Sequence, residues 1–480
     1  MPDSCSVPVW QNSSPETKHF IGEEPAYGFR GGLRMSFGGR AYAMESPGAA
    51  VAAMIARLQT DPLTRSVERC EPGSAREVMG RVLAEPVVAD RDSPAFEYSA
   101  MDGYAARLSD VANALKSQPQ PDDDSVTLPV LGEARIGFEP PPMPQGNGVP
   151  GVVRIATGAG LPPGADVVIR REDVLEHPGS EGGPSVGSIT IARSNAARLR
   201  SGDFIRRRGE NTRAGTEVLS VGTVLNAAAM GTLAAVGCVR PRVYARLRVA
   251  IIVTGDELVP PSANPGPFQI RNSNETAISA LLAPLAWIKV ASELGAHVQD
   301  DGQQLSGVLR DAIAGADAVI LSGGVSMGHH DPVRRAIESA GAEVVFHGLP
   351  QRPGKPILGA VAMSTGGRRV PVFGLPGNPI SAMVTCLRIV VPTLAACACA
   401  TRRPAPLRIA LASPDGKTVD VWWHRLVRLD EQGRALLVDG RGSGDIIAAG
   451  QSDGFIEVPP QAAGADGFPP SLYPFYPWPS

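Results

Sequence analysis

The run Val249-Ala250-Ile251-Ile252-Val253 has no polar residue in alternation. A strand wetted on one face alternates apolar and polar positions, so an unalternated run reads as a strand buried on both faces. Similar short runs recur at Trp287–Ala291, Ala318–Leu321, Glu343–Phe346, Ile357–Ala362 and Val370–Phe373. Between them, helical spacing fits Asn274–Leu282, Leu305–Ile313, Pro332–Ala340 and Ile380–Ala395. Alternating strands and helices predict an α/β domain over residues 246–398, built on a central, doubly wound, mostly parallel sheet with both faces covered.

On either side the pattern changes. Ser46–Leu58 opens with a Ser-Pro helix start and continues in an alanine-rich helical pattern, and Ser74–Leu83 predicts a second short helix. Residues 45–90 and 196–245 are therefore expected to form a helical and extended frame. Residues 91–195 read as an inserted β domain, with runs at Val126–Leu131, Val152–Thr157, Val167–Arg171 and Ser188–Ala192 broken by Pro and Gly. Residues 399–480 return to short strands (Leu407–Ala412, Val419–Val427, Ala435–Val438, Gly454–Val458) and predict a small C-terminal β-barrel-like domain. Its last stretch, Pro469–Ser480, alternates Pro with Tyr, Phe and Trp and reads as a loose tail rather than a docked one. Residues 1–44 read as a polar, disordered leader, with Met35 and Met44 as alternative starts. The 480-residue length agrees with several cores.

A formal charge of −3 gives no net attraction to nucleic acid or to an acidic membrane, so any anionic ligand must be held by local geometry. No signal peptide is evident, and no run reaches the roughly 20 apolar residues of a membrane span. The six cysteines contain no CxxC pair, which argues against a zinc site or a disulfide framework and for a reducing, cytoplasmic location. Cys397 and Cys399, in an apolar run, read as core residues.

Ligands of an open parallel sheet gather at the C-terminal ends of its strands. Polar motifs fall there. Thr254-Gly255-Asp256-Glu257 follows the first strand and offers two carboxylates, or is an ordinary acidic turn. Ser322-Gly323-Gly324-Val325-Ser326 follows another, and its paired glycines let backbone N–H groups converge on an anion. Asp331 precedes the helix at Pro332, where it is placed to cap that helix or to hold a metal. His329 and His330 lack a spaced third histidine and do not read as a zinc site. Arg352-Pro353-Gly354-Lys355-Pro356 sets two cations around a turn. It is not a P-loop, because the spacing from Gly348 is too long and Pro356 stands where a magnesium-binding hydroxyl is needed. Gly374-Leu375-Pro376-Gly377-Asn378-Pro379 opens the helix from Ile380 and offers helix N-terminal amides to a phosphate, or is a purely structural turn. The β insert adds Ser99-Ala100-Met101-Asp102-Gly103-Tyr104 and Arg154 through Ala159, followed by Leu161-Pro162-Pro163-Gly164-Ala165-Asp166.

In this order, and with Arg208-Gly209-Glu210-Asn211 between insert and sheet domain, these segments resemble the molybdopterin molybdenumtransferase family, to which MoeA and the gephyrin E domain belong. The likeness spans about residues 46 to 395. It implies insertion of molybdate into adenylylated molybdopterin with release of AMP, assisted by Mg2+, whose preference for oxygen ligands suits carboxylates. It implies catalytic roles for Asp102, Thr157, Glu257, Asp300 and Asp331, and Mg2+ ligation by Asp256, Glu257, Asp300 and Asp331. Asp203, Ser322, Gly323, Gly324, Ser326, Arg352, Lys355, Pro376 and Pro379 would bind the pterin nucleotide. It further implies a homodimer, with Asp102, Thr157 and Asp203 acting across its interface, and a molybdopterin adenylyltransferase as possible partner. The chain departs from the family's frequent pattern at Glu97-Tyr98 and at His329-His330.

Two other readings compete. A non-catalytic molybdopterin-binding scaffold would lack one of the acids, and Asp102, Glu257, Asp300 and Asp331 are all present. The related adenylyltransferase lacks the segment 91–195.

Overall fold

The computed structural model describes residues 36–37, 40–60, 65–70, 75–117, 124–143, 150–179, 186–299, 301–325, 332–401, 405–413, 417, 419–460 and 472–479. They form two compact units, one of residues 66–244 and one in which the segment before it joins residues 245–480.

Helix α1 (Pro47–Leu58) starts as its sequence predicts. Ser46 caps it by accepting the Ala49 N–H at 3.0 Å, and Pro47 occupies the first turn, where no N–H is needed. Its buried stripe is Ala50, Met54 and Leu58, spaced four apart.

Residues 66–244 are built on a six-stranded sheet. Its strands are β1 (Gly103–Ala106), β2 (Ser125–Ala134), β3 (Val152–Ile155), β4 (Val167–Arg170), β5 (Val174–Pro178) and β6 (Val186–Ala192), in the order β5-β6-β2-β3-β1-β4. Two differences from the sequence reading appear. A helix, Leu108–Ser117, lies among the strands and buries Val111 and Ala114 in their core. The helix expected to reach Leu83 ends at Val78, because Gly80 turns through a positive φ of 78° and Val82 and Leu83 pair instead with Val224 and Val243.

The other unit carries β7 (Leu247–Thr254), α2 (Ser273–Leu282), β8 (Ile288–Val290), β9 (Ala296–Val298), α3 (Gly302–Gly315), β10 (Ala318–Ser322) and α4 (Pro332–Ser339). It continues with β11 (Glu343–His347), β12 (Gln351–Arg352), β13 (Leu358–Met363), β14 (Arg369–Leu375) and α5 (Pro379–Thr385). The sheet order is β8-β7-β10-β14-β13-β11, with β9 also on β7. β8, β9, β7, β10 and β14 run parallel, β13 is antiparallel to β14, and β11 is antiparallel to β13. Ala250, Ile252, Val319, Leu321 and Val372 face α3 and α4 in one core. α2 and α5 pack together with the sheet, and α1 lies on β13. At that contact a Cβ on Gly359 would collide with the Phe346 ring and come within 3.0 Å of the Met54 sulfur, so the glycine makes room for the helix. After α5 the helix passes through a π turn, Cys386–Val390, into α6 (Val391–Cys397). The whole run is apolar and long enough to cross a membrane, but 78% of its most apolar window is buried inside the protein. Cys397 and Cys399 lie in this core, and burial pushes the Cys397 thiol up to about 12.

The C-terminal sheet contains β15 (Leu407–Ala410), β16 (Trp422–Leu429), β17 (Ala435–Leu437), β18 (Gly454–Val458) and β19 (Leu472–Pro477), in the order β12-β16-β18-β19-β15 with β17 on β16. From Leu472 to Pro477 the tail is therefore not loose. Pro474 is paired only on the β15 side and Pro477 only on the β18 side, so each proline, which has no N–H to donate, sits where the ladder is one-sided. Tyr473 and Phe475 are buried, and Tyr476 stacks on Phe455 at 5.0 Å.

Arg388, in the π turn, reaches into this sheet and grips Glu457 on β18 at 2.6 and 3.2 Å. His424 on β16 shares the same carboxylate at 3.1 Å. Burial pushes the Glu457 carboxyl up, but the Arg388 charge and the His424 hydrogen bond outweigh it and hold it at about 2. Glu457→Gln should cost about 3–5 kcal/mol at neutral pH, since it strands the buried guanidinium. The folded carboxyl titrates below its unfolded value of about 4.3, so its contribution is full above that value and is lost as pH falls toward about 2. Urea titrations should show the wild-type advantage over the variant shrinking across that window. A constant advantage would contradict the assignment.

Candidate functional site

In the register of the parallel strands, Val253 lies beside Ser322 and Ser322 beside Leu375. The next residues along the three strands, Thr254, Gly323 and Pro376, therefore lie side by side at this end of the sheet. β13 begins at the same end, Leu358 opposite Gly374, so the Arg352–Pro356 turn enters there too. Four motifs that are up to about a hundred residues apart in sequence meet because four strands end or begin at one edge of the sheet.

Close packing fixes the loops. Gly323 has φ 98°, and a Cβ there would collide with the Thr254 carbonyl oxygen. Gly324 has φ 63°, and a Cβ would lie 2.9 Å from Thr254 Oγ1 and 3.0 Å from Val333. Asn274, at the start of α2, donates its amide to Ser322 Oγ at 2.9 Å and to the Gly377 carbonyl at 2.8 Å. The Asn378 amide donates to Ser443 Oγ at 3.0 Å, and the Ile380 N–H to the Ser443 carbonyl at 3.0 Å. A C-terminal loop thus props the turn that opens α5. Gly354 (φ 92°) seats the cationic turn against α5, where a Cβ would collide with the Thr385 methyl, and Gln351 donates to the Gly354 carbonyl at 2.9 Å. Arg352 lies 5.9 Å from the Trp423 ring centroid, and Lys355 Nζ lies 5.6 Å from that of Tyr42.

The acidic turn is open: Asp256 and Glu257 are exposed. The Glu257 carboxylate curls over Gly255, where a Cβ would be 2.6 Å from Oε2, and the Gly255 carbonyl meets His297 Nε2 at 3.0 Å.

In the unit of residues 66–244, Asp102 Oδ1 accepts from the Thr157 N–H at 2.7 Å and from Thr157 Oγ1 at 2.8 Å. The backbone bond, the hydroxyl bond and the nearby Arg171 and Arg154 charges hold the Asp102 carboxyl below the usual range. It is an exposed, permanently ionised group at neutral pH, which suits contact with a cation or a donor rather than proton delivery. The Asp203 segment runs beside it: Ala100 N–H donates to the Phe204 carbonyl at 2.8 Å, and Asp203 Oδ2 accepts the Arg200 N–H at 2.8 Å.

The structure thus brings Asp256, Glu257, Ser322, Gly323, Gly324, Arg352, Lys355, Pro376 and Pro379 to one sheet end, and pairs Asp102 with Thr157 in the other unit. Asp300, Ser326 and Asp331, with His329 and His330, lie outside the described residues. Asp301 caps α3 through the Gln303 and Gln304 N–H groups. Among the described residues no three acidic, His or Cys side chains gather around one point. Asp256 and Glu257 supply oxygen donors of the kind Mg2+ takes, but only part of a coordination set. Sequence reasoning passed over Asn274 and Ser443. The signal available for Asn274 was a carboxamide in the first turn of a helix packed at strand ends.

Residues 47–237 match the family described as the MoeA N-terminal region (domain I and II), and residues 250–396 match that described as a probable molybdopterin binding domain. The chain is 34% identical over 388 residues to a molybdopterin molybdenumtransferase of Nostoc sp., covering 79% of this chain and 83% of that protein. It is 35% identical over 364 residues to one of Synechococcus elongatus, covering 75% and 82%. Two solved structures of molybdopterin biosynthesis MoeA proteins from Pyrococcus horikoshii superpose with TM-scores of 0.63 and 0.66. They share 26% and 22% identity, and the matches cover 91% and 90% of this chain and 100% and 99% of theirs.

If the glycine loop is seated as described, Gly323→Ala should cost more than the backbone strain of about 1–3 kcal/mol, because the new methyl also meets the Thr254 carbonyl. Gly367→Ala, at φ 75° with open space around it, should carry the strain alone. Urea denaturation of both variants checks this, and equal losses would contradict the packing.

Proposed function

This chain belongs to the molybdopterin molybdenumtransferase family, transferases of molybdenum cofactor biosynthesis, and we propose that it inserts molybdate into adenylylated molybdopterin with release of AMP. The observation that carries the reading is the alignment of Val253, Ser322 and Leu375, which puts an acidic turn, a glycine loop and a helix-opening turn around one strand-end site. The Gly323 and Gly324 amides, on a loop of positive φ, are suited to cradle a phosphate. The helix run from Pro379 adds the positive end of its dipole. Arg352 and Lys355 neutralise oxyanions, while Pro376 and Pro379 keep the turn rigid.

Asp256 and Glu257, with Asp300 and Asp331, would hold Mg2+. The ion would offset charge on the phosphoanhydride oxygens. Asp102, held ionised by Thr157, and Asp203 would add substrate contacts across the proposed homodimer interface. In the reaction a water oxygen bonds to phosphorus as the phosphoanhydride bond breaks and AMP leaves, and the two dithiolene sulfurs bond to molybdenum as one molybdate oxygen departs as water with the two thiol protons. The protein is proposed to work as a cytoplasmic homodimer that receives its substrate from a molybdopterin adenylyltransferase.

Purified protein given adenylylated molybdopterin, molybdate and Mg2+ should release AMP and yield cofactor that reconstitutes an apo-molybdoenzyme. Glu257→Gln should slow AMP release by about 100-fold or more, as expected when a group acting on transition-state charge is lost. Tight pterin binding without AMP release would overturn the enzymatic reading and favour a binding scaffold.

A further inference from the structure

The amide of Asn274 has two hydrogens and both are spent on other parts of the chain: one on Ser322 Oγ, 48 residues away, the other on the Gly377 carbonyl, 103 residues away. The orientation of the amide is fixed, because a carbonyl oxygen only accepts and so the NH2 must face Gly377. The two acceptors belong to the two loops that line the strand-end site, and those loops touch: a Cβ on Gly377 would lie 3.6 Å from the Gly323 Cα. Asn274 is thus a cross-brace that sets the spacing between them.

The brace is not a device for stability. Among the described residues, Asn274 Oδ1 is buried with no hydrogen-bond partner, and so is Thr254 Oγ1, the hydroxyl under Gly323 and Gly324. A buried polar atom left unpaired destabilises the fold. Two of them at one corner set a stability cost against the bonds that hold its geometry.

We propose that Asn274 is a positioning residue, holding the Ser322–Gly324 loop and the Gly377 turn at the separation that a phosphate-bearing ligand requires while touching no reacting atom itself. The assignment of the ligand rests on the function proposed above; the brace does not. Preorganisation of this kind acts on binding and on the approach to the transition state, so its loss lowers kcat/KM more than it lowers stability.

The test compares wild type, Asn274→Ala, Ser322→Ala and the double variant, using AMP as the binding probe, AMP release as the activity, and amide hydrogen exchange at Gly323, Gly324 and Gly377. Asn274→Ala should reduce AMP affinity and kcat/KM by about 10- to 100-fold and speed exchange at those three amides, with the thermal midpoint within about 3 °C of wild type. Asn274→Asp, which keeps the size but turns an acceptor toward the Gly377 carbonyl, should not rescue. The losses in the double variant should be less than additive, since Ser322 and Asn274 share one bond. Unchanged exchange at the three amides in Asn274→Ala overturns the brace whether or not the enzyme is active. A fall in stability that accounts for the whole loss of activity also overturns it, by reducing Asn274 to a structural role. A wild-type protein that releases no AMP, with exchange still responding to Asn274→Ala, instead sinks the functional reading and leaves the brace standing.

Discussion

No side chain fits at position 323, because the Thr254 carbonyl lies where a Cβ would go. That single close approach decides how the chain leaves β10. It forces a backbone with φ 98°, folds the loop back over the end of β7, and brings Gly323 up against Gly377. Everything proposed for the site depends on this contact between two strand ends. A loop held even one side chain further out would leave its amides unable to converge, and Asn274 unable to reach both Ser322 and Gly377.

The same corner shows how a sheet supplies chemistry. Parallel strands buried on both faces have nowhere to put polar groups except at their ends, and their common direction brings the C-terminal ends to one side. Thr254, Ser322 and Leu375 inherit their neighbourhood from backbone register alone. The C-terminal sheet then contributes from outside: Ser443 holds Asn378, and the buried Arg388–Glu457–His424 cluster fastens that sheet to the helix which Asn378 begins. Exposed carboxylates at Asp256 and Glu257 are left facing solvent at this end of the sheet.

Much of the fold was legible because its signals are local. Val249–Val253 and Ala318–Leu321 declare buried parallel strands by lacking alternation, and Ser46-Pro47 declares a helix start, so β7, β10 and α1 lie where the sequence places them. The glycine loop and the Leu375–Pro379 turn were legible for the same reason. The contacts that join these pieces were not. Asn274 reads as an unremarkable polar residue in a helix until the fold carries Gly377 to it, and Ser443 reads as a loop residue until it meets Asn378. The aromatic and proline-rich tail misled in the opposite way. Its prolines suggest an unpaired chain, yet β19 is paired along its length by two partners that take turns, and Tyr473 and Phe475 provide the burial.

The central claim is that the ligand's phosphate sits on the Gly323–Gly324 amides at the end of β7, β10 and β14. A crystal structure of the protein with AMP, the proposed product, measures this directly. The phosphate is expected within hydrogen-bonding distance of the Gly323 or Gly324 N–H, with Lys355 or Arg352 turned toward it. AMP bound elsewhere, with the glycine loop unoccupied at saturating ligand, would contradict it.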